Sequence, residues 1–285
     1  MNRSDFRTLE RLRVRWVEVD LQKVVFNGHY LMYFDIAMAA YWRASAMPYS
    51  QTMEHLAGDL FVRKATVEYL GSARYDDLLD IGVRCARIGT TSVLFSGAAF
   101  LQDRVLATCE LVYVFTEAHV PTPQPVPQAL RDALLAYEAG EAMVDVRVGS
   151  WDELCASARA VRREVFIDEQ GIPAEMEWDD ADAQSVHGVA FNRFGQALAT
   201  GRLLVDGPRV ARIGRMATGQ AVRGSGIGRG VLDALMTVAK QRGDTEVRLH
   251  AQVSAQTFYA QAGFQPRGPV FDEAGIAHID MARPL

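Results

Sequence analysis

Cysteine is scarce in this chain. Its 285 residues include three, Cys85, Cys109 and Cys155, too few and too far apart for a disulfide framework. No Cys/His cluster of the kind that holds structural zinc accompanies them, so no metal site is expected. Basic charge is not in excess either: 30 Lys and Arg stand against 35 Asp and Glu, which excludes the concentrated cationic footprint of a dedicated nucleic-acid binder. An apolar run of about 18 residues, long enough to span a bilayer, is lacking. The opening segment MNRSDFRTLERLRVRW has no apolar centre like that of a secretion signal. The expectation is a soluble cytoplasmic protein with no membrane partner. No internal period recurs, which argues against a repeat array. What is present is an ordinary globular composition, 49% hydrophobic and 23% charged, at a length that predicts about two domains.

Proline is sparse but concentrated: Pro121, Pro123, Pro125 and Pro127 alternate, and each ring biases its neighbour toward extended backbone. QALRDALLAYEAG then reads as a short helix with Leu130, Ala133, Leu134 and Leu135 on one side and Gly140 as its stop. This puts the domain boundary at Gly140, giving domains 1–140 and 141–285. In the first, LRVRWVEVD alternates as a strand. HYLMYFDIAMAAYWRASAM sets Tyr30, Phe34, Ala37, Met38 and Tyr41 at helical spacing, with the helix starting near His29 or Tyr30. Four strand-like runs follow, FVRKATVEYL, LLDIGVRCARIG, TSVLFSGAAFLQ and RVLATCELVYVFTE, with turn residues at Asp76-Asp77 and Gln102-Asp103. One helix followed by consecutive strands is no βαβ series; it predicts an antiparallel sheet curled around that helix.

The second domain reads as α+β with a mixed sheet. A strand MVDVRV, a long helix ended by Gly171-Ile172-Pro173 and an acidic loop PAEMEWDDADAQS come first; the loop is either simply solvated or favours a cationic amine nearby. Three strands lead to a glycine-rich turn, a helix, the strand VRLHAQV and a short helix AQTFYAQAG. The turn is Arg223-Gly224-Ser225-Gly226-Ile227-Gly228. Glycines there let backbone approach a ligand, and the amides of the following helical turn point at an anion with the helix dipole behind them, a geometry suited to phosphate or pyrophosphate. No Lys-Ser/Thr pair follows Gly228, so it is not a nucleoside-triphosphate loop, and VRLHAQV carries no acidic residue for a dinucleotide ribose. A helix cap packed against the sheet is the structural alternative.

From about Met143 to Leu285 the chain resembles the GNAT superfamily of N-acetyltransferases. The R-x-x-G-x-G loop that binds acyl-CoA pyrophosphate is matched at Arg223, Gly226 and Gly228. Ile213–Thr218 resembles the strand whose splayed end takes hydrogen bonds from pantetheine, which implicates Met216, Ala217 and Thr218. The A-x-x-F-Y-x-x-x-G-F signature begins at Ala255. The resemblance implies acetyl-CoA as co-substrate, a small-molecule or peptide amine as acceptor, and Tyr259 as the acid that protonates the departing thiolate. The family's general base varies, and the candidates here are Glu177, Asp179 and His187. Glu273 and His278 either line the acceptor cleft or tie down the last strands.

In the first domain, Asp20 lies in a loop just ahead of a helix. A carboxylate there can orient water or attack a carbonyl that the helix amides polarise, although Asp and Asn are also ordinary turn and cap residues, and Asn27 can serve as a cap. Residues 10–138 resemble the hotdog-fold acyl-CoA thioesterases of the 4-hydroxybenzoyl-CoA type. The match runs through VRWVEVD, D-x-x-x-V-V-F-N-x-x-Y-L-x-Y-F from Asp20 to Phe34, VEYLGSARYDD and the closing P-x-P-x-x-P. It implies catalytic Asp20, with Asn27 at a position where relatives carry His or Asn. Lys23 departs from a common glycine, signalling either coenzyme A phosphate binding or altered geometry. Tyr30 and Tyr33 read as helix packing, and His29 as a neighbour of the cap. Family sites form between subunits, which implies a homodimer or homotetramer. The combined expectation is a bifunctional enzyme that hydrolyses an acyl-CoA and acetylates an amine, with no metal. Its alternatives are an active transferase with a scaffolding hotdog domain and a non-catalytic acyl-CoA-binding module.

Overall fold

The computed structural model describes residues 1–118, 120 and 122–285. It divides into two compact units, Met1–Met143 and Val144–Leu285.

The first unit runs β1 (Leu9–Arg13), a 3-10 turn Trp16–Glu18, α1 (Asn27–Ala44), α2 (Tyr49–His55), β2 (Gly58–Tyr69), β3 (Leu78–Ile88), β4 (Ser92–Leu101), β5 (Arg104–Glu117) and α3 (Gln128–Glu138). The sheet has the order β1-β3-β4-β5-β2, with every pairing antiparallel. No proline interrupts α1, and Tyr30, Tyr33, Phe34, Ala37, Met38 and Tyr41 recur every three or four residues, so a single stripe is buried. The helix comes close because β4 carries Gly97 beneath it: a Cβ there would stand 3.0 Å from the Phe34 ring and 2.9 Å from the carbonyl of Gly82. Glu138 ties α3 to this core, with one carboxylate oxygen accepting from the Tyr41 hydroxyl and from the Cys85 amide, each at 2.8 Å.

Three details differ from expectation. The strand through LRVRWVEVD stops at Arg13. Beyond it Glu18 turns inward, 2% exposed, and accepts from the Arg15 amide at 2.8 Å, closing a turn that leaves Trp16 and Val17 outside. The long helix begins at Asn27, with Phe26 as its cap residue. Leu135 is 58% exposed, because the buried face of α3 is Leu130, Ala133, Leu134 and Tyr137 and Leu135 lies a further 100° round the helix. Pro123 pairs in an extended bridge with Thr116, while Pro121 lies outside the described residues.

The second unit continues with β6 (Val144–Gly149) and α4 (Trp151–Arg162), which widens into a π-helical stretch Arg163–Glu169. Then come α5 (Ala174–Glu177), a 3-10 turn Asp180–Gln184, β7 (Val186–Asn192), β8 (Ala197–Val205), β9 (Val210–Thr218), α6 (Ile227–Arg242), β10 (Glu246–Gln252), α7 (Gln256–Gln261), β11 (Gln265–Glu273) and β12 (Ile276–Pro284). The seven strands follow the order β11-β12-β10-β9-β8-β7-β6. The β9–β10 pair alone is parallel, with α6 as its crossover, and its register covers only Val210–Arg212 against Glu246–Arg248. Past Arg212 the two strands part. On the other side of β9, Arg202 pairs with Gly214 and Thr200 with Ala217, so Gly201 faces two residues, Arg215 and Met216. This is a β-bulge, and Arg215 sits in it at φ +51°.

The acidic segment 173–185 is not the solvated loop that its polarity suggests. Glu177 and Asp182 are 2% and 3% exposed and meet Arg162, itself 1% exposed. Arg202 bridges Asp179 and Asp182, and Arg215 reaches Glu177 and Asp179. The rings of Trp151 and Trp178 lie 5.6 and 5.0 Å from the Arg162 guanidinium. Burial of these carboxylates is possible because each one meets a guanidinium. Removing the central cation with Arg162→Met strands buried charge and is expected to destabilise the second unit by about 3–5 kcal/mol, while Arg229→Gln, at an exposed pair with Asp233, changes stability by less than about 0.5 kcal/mol. Urea unfolding of the intact protein followed by tryptophan fluorescence checks both.

Candidate functional site

The diverging end of β9 opens into a cleft of about 460 Å³. One wall is Met216 and Thr218, successive residues on the same strand face. The floor is the turn into α6, with Arg223, Gly224, Gly226, Ile227 and Gly228, and the opposite wall is Ala255, Phe258, Tyr259 and Gln261 from α7 and its approach. Gly224 and Gly226 have φ of +82° and +86°, a left-handed backbone that strains any residue with a Cβ. Gly228 is close to β9: a Cβ there would stand 2.6 Å from the Thr218 hydroxyl. The first amides of α6 have no intrahelical acceptor and lie at the cleft floor. Ala217 points the other way, into the core at 4% exposure, and the Ser225 hydroxyl turns back to donate to the Val222 carbonyl at 2.6 Å. Arg223 donates to the Thr218 carbonyl at 3.0 Å and pairs with Glu169 at 2.7 Å. Tyr259 is 7% exposed, its ring 4.9 Å from Phe258 and 6.0 Å from Phe264. Burial alone pushes its phenol up to about 12.

In the first unit, Asp20 closes a tight turn. Its amide donates to the Val24 carbonyl at 2.9 Å, its carbonyl accepts from Lys23 at 2.9 Å, and its Oδ1 accepts from the Gln22 amide at 2.7 Å. Lys23 takes φ +61°, so it adopts the left-handed conformation that a glycine would, at about 1–2 kcal/mol of strain. The bridge Val19↔Val25 brings Asp20 and the start of α1 to one end of the unit. Asn27 occupies the first position of α1, exposed, and its carbonyl accepts from the Tyr69 hydroxyl at 3.0 Å. The turn is fixed from beneath by Glu18. Burial works to raise the Glu18 pKa, but the Arg15 amide, the Tyr33 hydroxyl and the Arg15 guanidinium outweigh it and hold the carboxyl below its ordinary value.

Comparison with known proteins gives two matches. The family model described as acetyltransferase (GNAT) domain matches residues 155–285, and that of the thioesterase superfamily matches residues 22–108. The uncharacterized protein YyaT of Bacillus subtilis is 31% identical over 131 residues, covering 45% of this chain and 87% of the relative. The second unit belongs to the GNAT acetyltransferases and the first to the thioesterase superfamily. Among solved structures, an acyl-CoA N-acyltransferase from Pseudomonas aeruginosa is 32% identical with a TM-score of 0.45, covering 49% of this chain and 99% of its own. A Thermus thermophilus thioesterase complexed with coenzyme A and Zn is 24% identical with a TM-score of 0.42, covering 47% of this chain and 97% of its own. Among the described residues of this chain, no group of three or more His, Cys, Asp and Glu is arranged to hold a metal ion. No described helix is long and apolar enough to cross a membrane.

In the GNAT domain, two of the three residues considered as general bases, Glu177 and Asp179, belong to the ion network, and His187 is buried beside it. Burial raises the Glu177 pKa against the opposing pull of Arg162, and Arg202 holds Asp179 below the usual carboxylate range. His187 is 1% exposed against Trp151, with burial lowering its pKa, and its Nε2 donates to the Asp182 carbonyl at 2.9 Å. Glu273 and His278 line two cavities, of about 450 and 130 Å³, on the other side of the bulge, and Glu177 also reaches the smaller one. In the thioesterase-superfamily domain, Tyr30 and Tyr33 do more than pack. The Tyr30 hydroxyl accepts from the Ala73 amide at 3.1 Å, and the Tyr33 hydroxyl donates to Glu18 at 2.8 Å. His29 lies beside Met32, its Nδ1 3.3 Å from the sulfur. Sequence reading overlooked Glu18 and Glu169; the spacing Arg15-x-x-Glu18, one turn apart, was the available sign for the first.

Gly226→Ala biases the α6 turn away from its left-handed conformation by about 1–2 kcal/mol, so any coenzyme A binding that requires this conformation is expected to weaken roughly 5–30-fold. Ser225→Ala, whose hydroxyl faces its own backbone, leaves it roughly unchanged. Calorimetric titration with coenzyme A distinguishes the two.

Proposed function

We propose that this protein is a bifunctional acyl-CoA enzyme of the cytoplasm: its first domain hydrolyses an acyl-CoA thioester, and its GNAT domain transfers an acetyl group from acetyl-CoA to a small-molecule or peptide amine. The observation that carries the reading is the convergence on one cleft of the positive-φ loop Arg223–Gly228, Met216 and Thr218 on the parted strand, and Tyr259. The loop amides and the α6 dipole meet the pyrophosphate. Thr218 and Met216 line the path of the pantetheine arm toward the bulge, where the amine attacks the acetyl carbonyl directly. The C–N bond forms, the C–S bond breaks, and Tyr259 protonates the thiolate. A phenol with a pKa of about 12 keeps its proton through the neutral range, and the burial that raises it raises the departing thiol too.

In the first domain, Asp20 Oδ2 is free of the turn that holds Oδ1 and orients water toward the thioester. Asn27 and the unpaired amides at the start of α1 stabilise the oxyanion. Attack forms the C–O bond and expels coenzyme A. The site is completed by a second copy of the chain in a homodimer or homotetramer. Supporting this, edge strand β2 exposes Phe61, Val62 and Tyr69 at 54%, 54% and 51%, and Tyr69 touches the backbone of Asn27.

Free-thiol release from a panel of acyl-CoAs, with and without amines, tests both activities. Asp20→Asn is expected to remove amine-independent release and spare amine-dependent release. Tyr259→Phe is expected to lower kcat for transfer about 10²-fold and spare hydrolysis. In the unsubstituted enzyme, Tyr259 contributes no alkaline loss of kcat below pH 10. No release without amine from any chain length would leave the first domain a scaffold.

A further inference from the structure

We infer that His278 is the general base that deprotonates the acceptor amine, an assignment that rests on the transferase reading above. An ammonium cannot attack a thioester until it gives up a proton, so a lone pair has to face the acceptor space. Asp179 is paired with Arg202 and Arg215, Glu177 is held by Arg162 and Arg215, and His187 is 1% exposed beneath Trp151 and lines neither acceptor-side cavity. His250 is engaged at both nitrogens: Arg212 stands 2.8 Å from its Nε2, and Glu273 stands 3.2 Å from its Nδ1. His278 differs. Its Nδ1 is 2.8 Å from the Ile276 carbonyl; a carbonyl only accepts, so Nδ1 carries the hydrogen and the neutral ring keeps its lone pair on Nε2. No described residue bonds to that nitrogen. Stacking on Phe271, with centroids 6.0 Å apart and planes at 26°, holds the ring in place.

Position supports the chemistry. His278 pairs with Gln252, the last residue of β10, at the end where β9 has departed. It lines both cavities on that side, and so does Arg215. Met216, the next residue after Arg215, lines the cleft assigned to acetyl-CoA. The bulge is therefore the common wall between thioester and acceptor, with His278 on the acceptor side. Charged groups face this space from every neighbouring element. They are Glu177 from α5, Arg212 and Arg215 from β9, His250 from β10 and Glu273 from β11, with Arg202 and Asp206 on β8 and its following turn. The ammonium loses two protons on becoming an amide. One passes to Nε2 and then to solvent; the other replaces the proton that Tyr259 gives to the thiolate.

The test measures acetyl transfer to spermidine, free L-amino acids and a lysine-containing tetrapeptide across pH 6–10, in the intact protein and in His278→Gln. The expected result is a loss of kcat/KM of about 10²-fold at pH 7 that shrinks as pH approaches the pKa of the amine, with coenzyme A affinity unchanged. A deficit that is the same at every pH, or no deficit at pH 7, would overturn the assignment while leaving the transferase intact. Should His278→Gln lose coenzyme A binding, added imidazole with His278→Gly decides: restored turnover supports the role, and none removes it. An unsubstituted protein that acetylates no amine would defeat the transferase reading itself, and this inference with it.

Discussion

The parting of β9 from β10 is the constraint on which the second domain depends. Parallel strands hold each other by slanted hydrogen bonds, and this pair keeps only three residues of register before the bulge at Arg215–Met216 bends β9 away. The bend has two consequences. It frees backbone polar groups at the end of β9, which an interior sheet would otherwise pair, and it opens space on both sides of one strand. Met216 and Thr218 then face the cleft that α6 closes with its N-terminus, while Arg215 faces the cavities near β12. Gly201 permits this, since a Cβ there would stand 2.3 Å from the Met216 sulfur.

A bulge alone is pliable, and here the buried ion network braces it. Arg215 reaches Glu177 and Asp179, Asp179 is shared with Arg202, and Asp182 is shared between Arg202 and Arg162. Buried ion pairs of this kind add little net stability over apolar packing, but breaking one is costly, so they favour one arrangement over its alternatives. The same network offsets three of the five acidic charges of that segment, those of Glu177, Asp179 and Asp182. In the first domain the comparable role falls to Glu18, whose carboxylate holds Arg15 and Tyr33 and thereby sets the turn from which Asp20 emerges.

Elements whose residues interact with near neighbours in the chain were readable in advance. The stripe from Tyr30 to Tyr41, the strands from β2 to β5 and the glycine-rich turn ahead of α6 all follow from local spacing and backbone preference. The residues assigned to the acyl-CoA cleft lie in two such local motifs, and the structure brings most of them to one cavity, while Ala217 and Ser225 turn away. Elements whose fate depends on distant partners were not readable. Glu18 fell within a run read as a strand, and Glu177 and Asp182 within a run read as a loop; Tyr33, Arg162, Arg202 and Arg215, which help make their burial tolerable, come from other segments.

By itself the sequence determined the helix with consecutive strands in the first part, the α+β order of the second and the glycine-rich turn ahead of a helix, since periodicity and φ preference are properties of adjacent residues. Tertiary structure alone decided which titratable groups are spent on holding the fold and which remain available. That depends on hydrogen-bond partners far apart in the chain: Arg162 with Asp182, Arg212 with His250, Tyr33 with Glu18. The state of a histidine is the plainest case. His187 on β7 and His278 on β12 are the same residue type in one sheet, each with one ring nitrogen at a backbone carbonyl, yet the first is 1% exposed against Trp151 while the second lines two cavities.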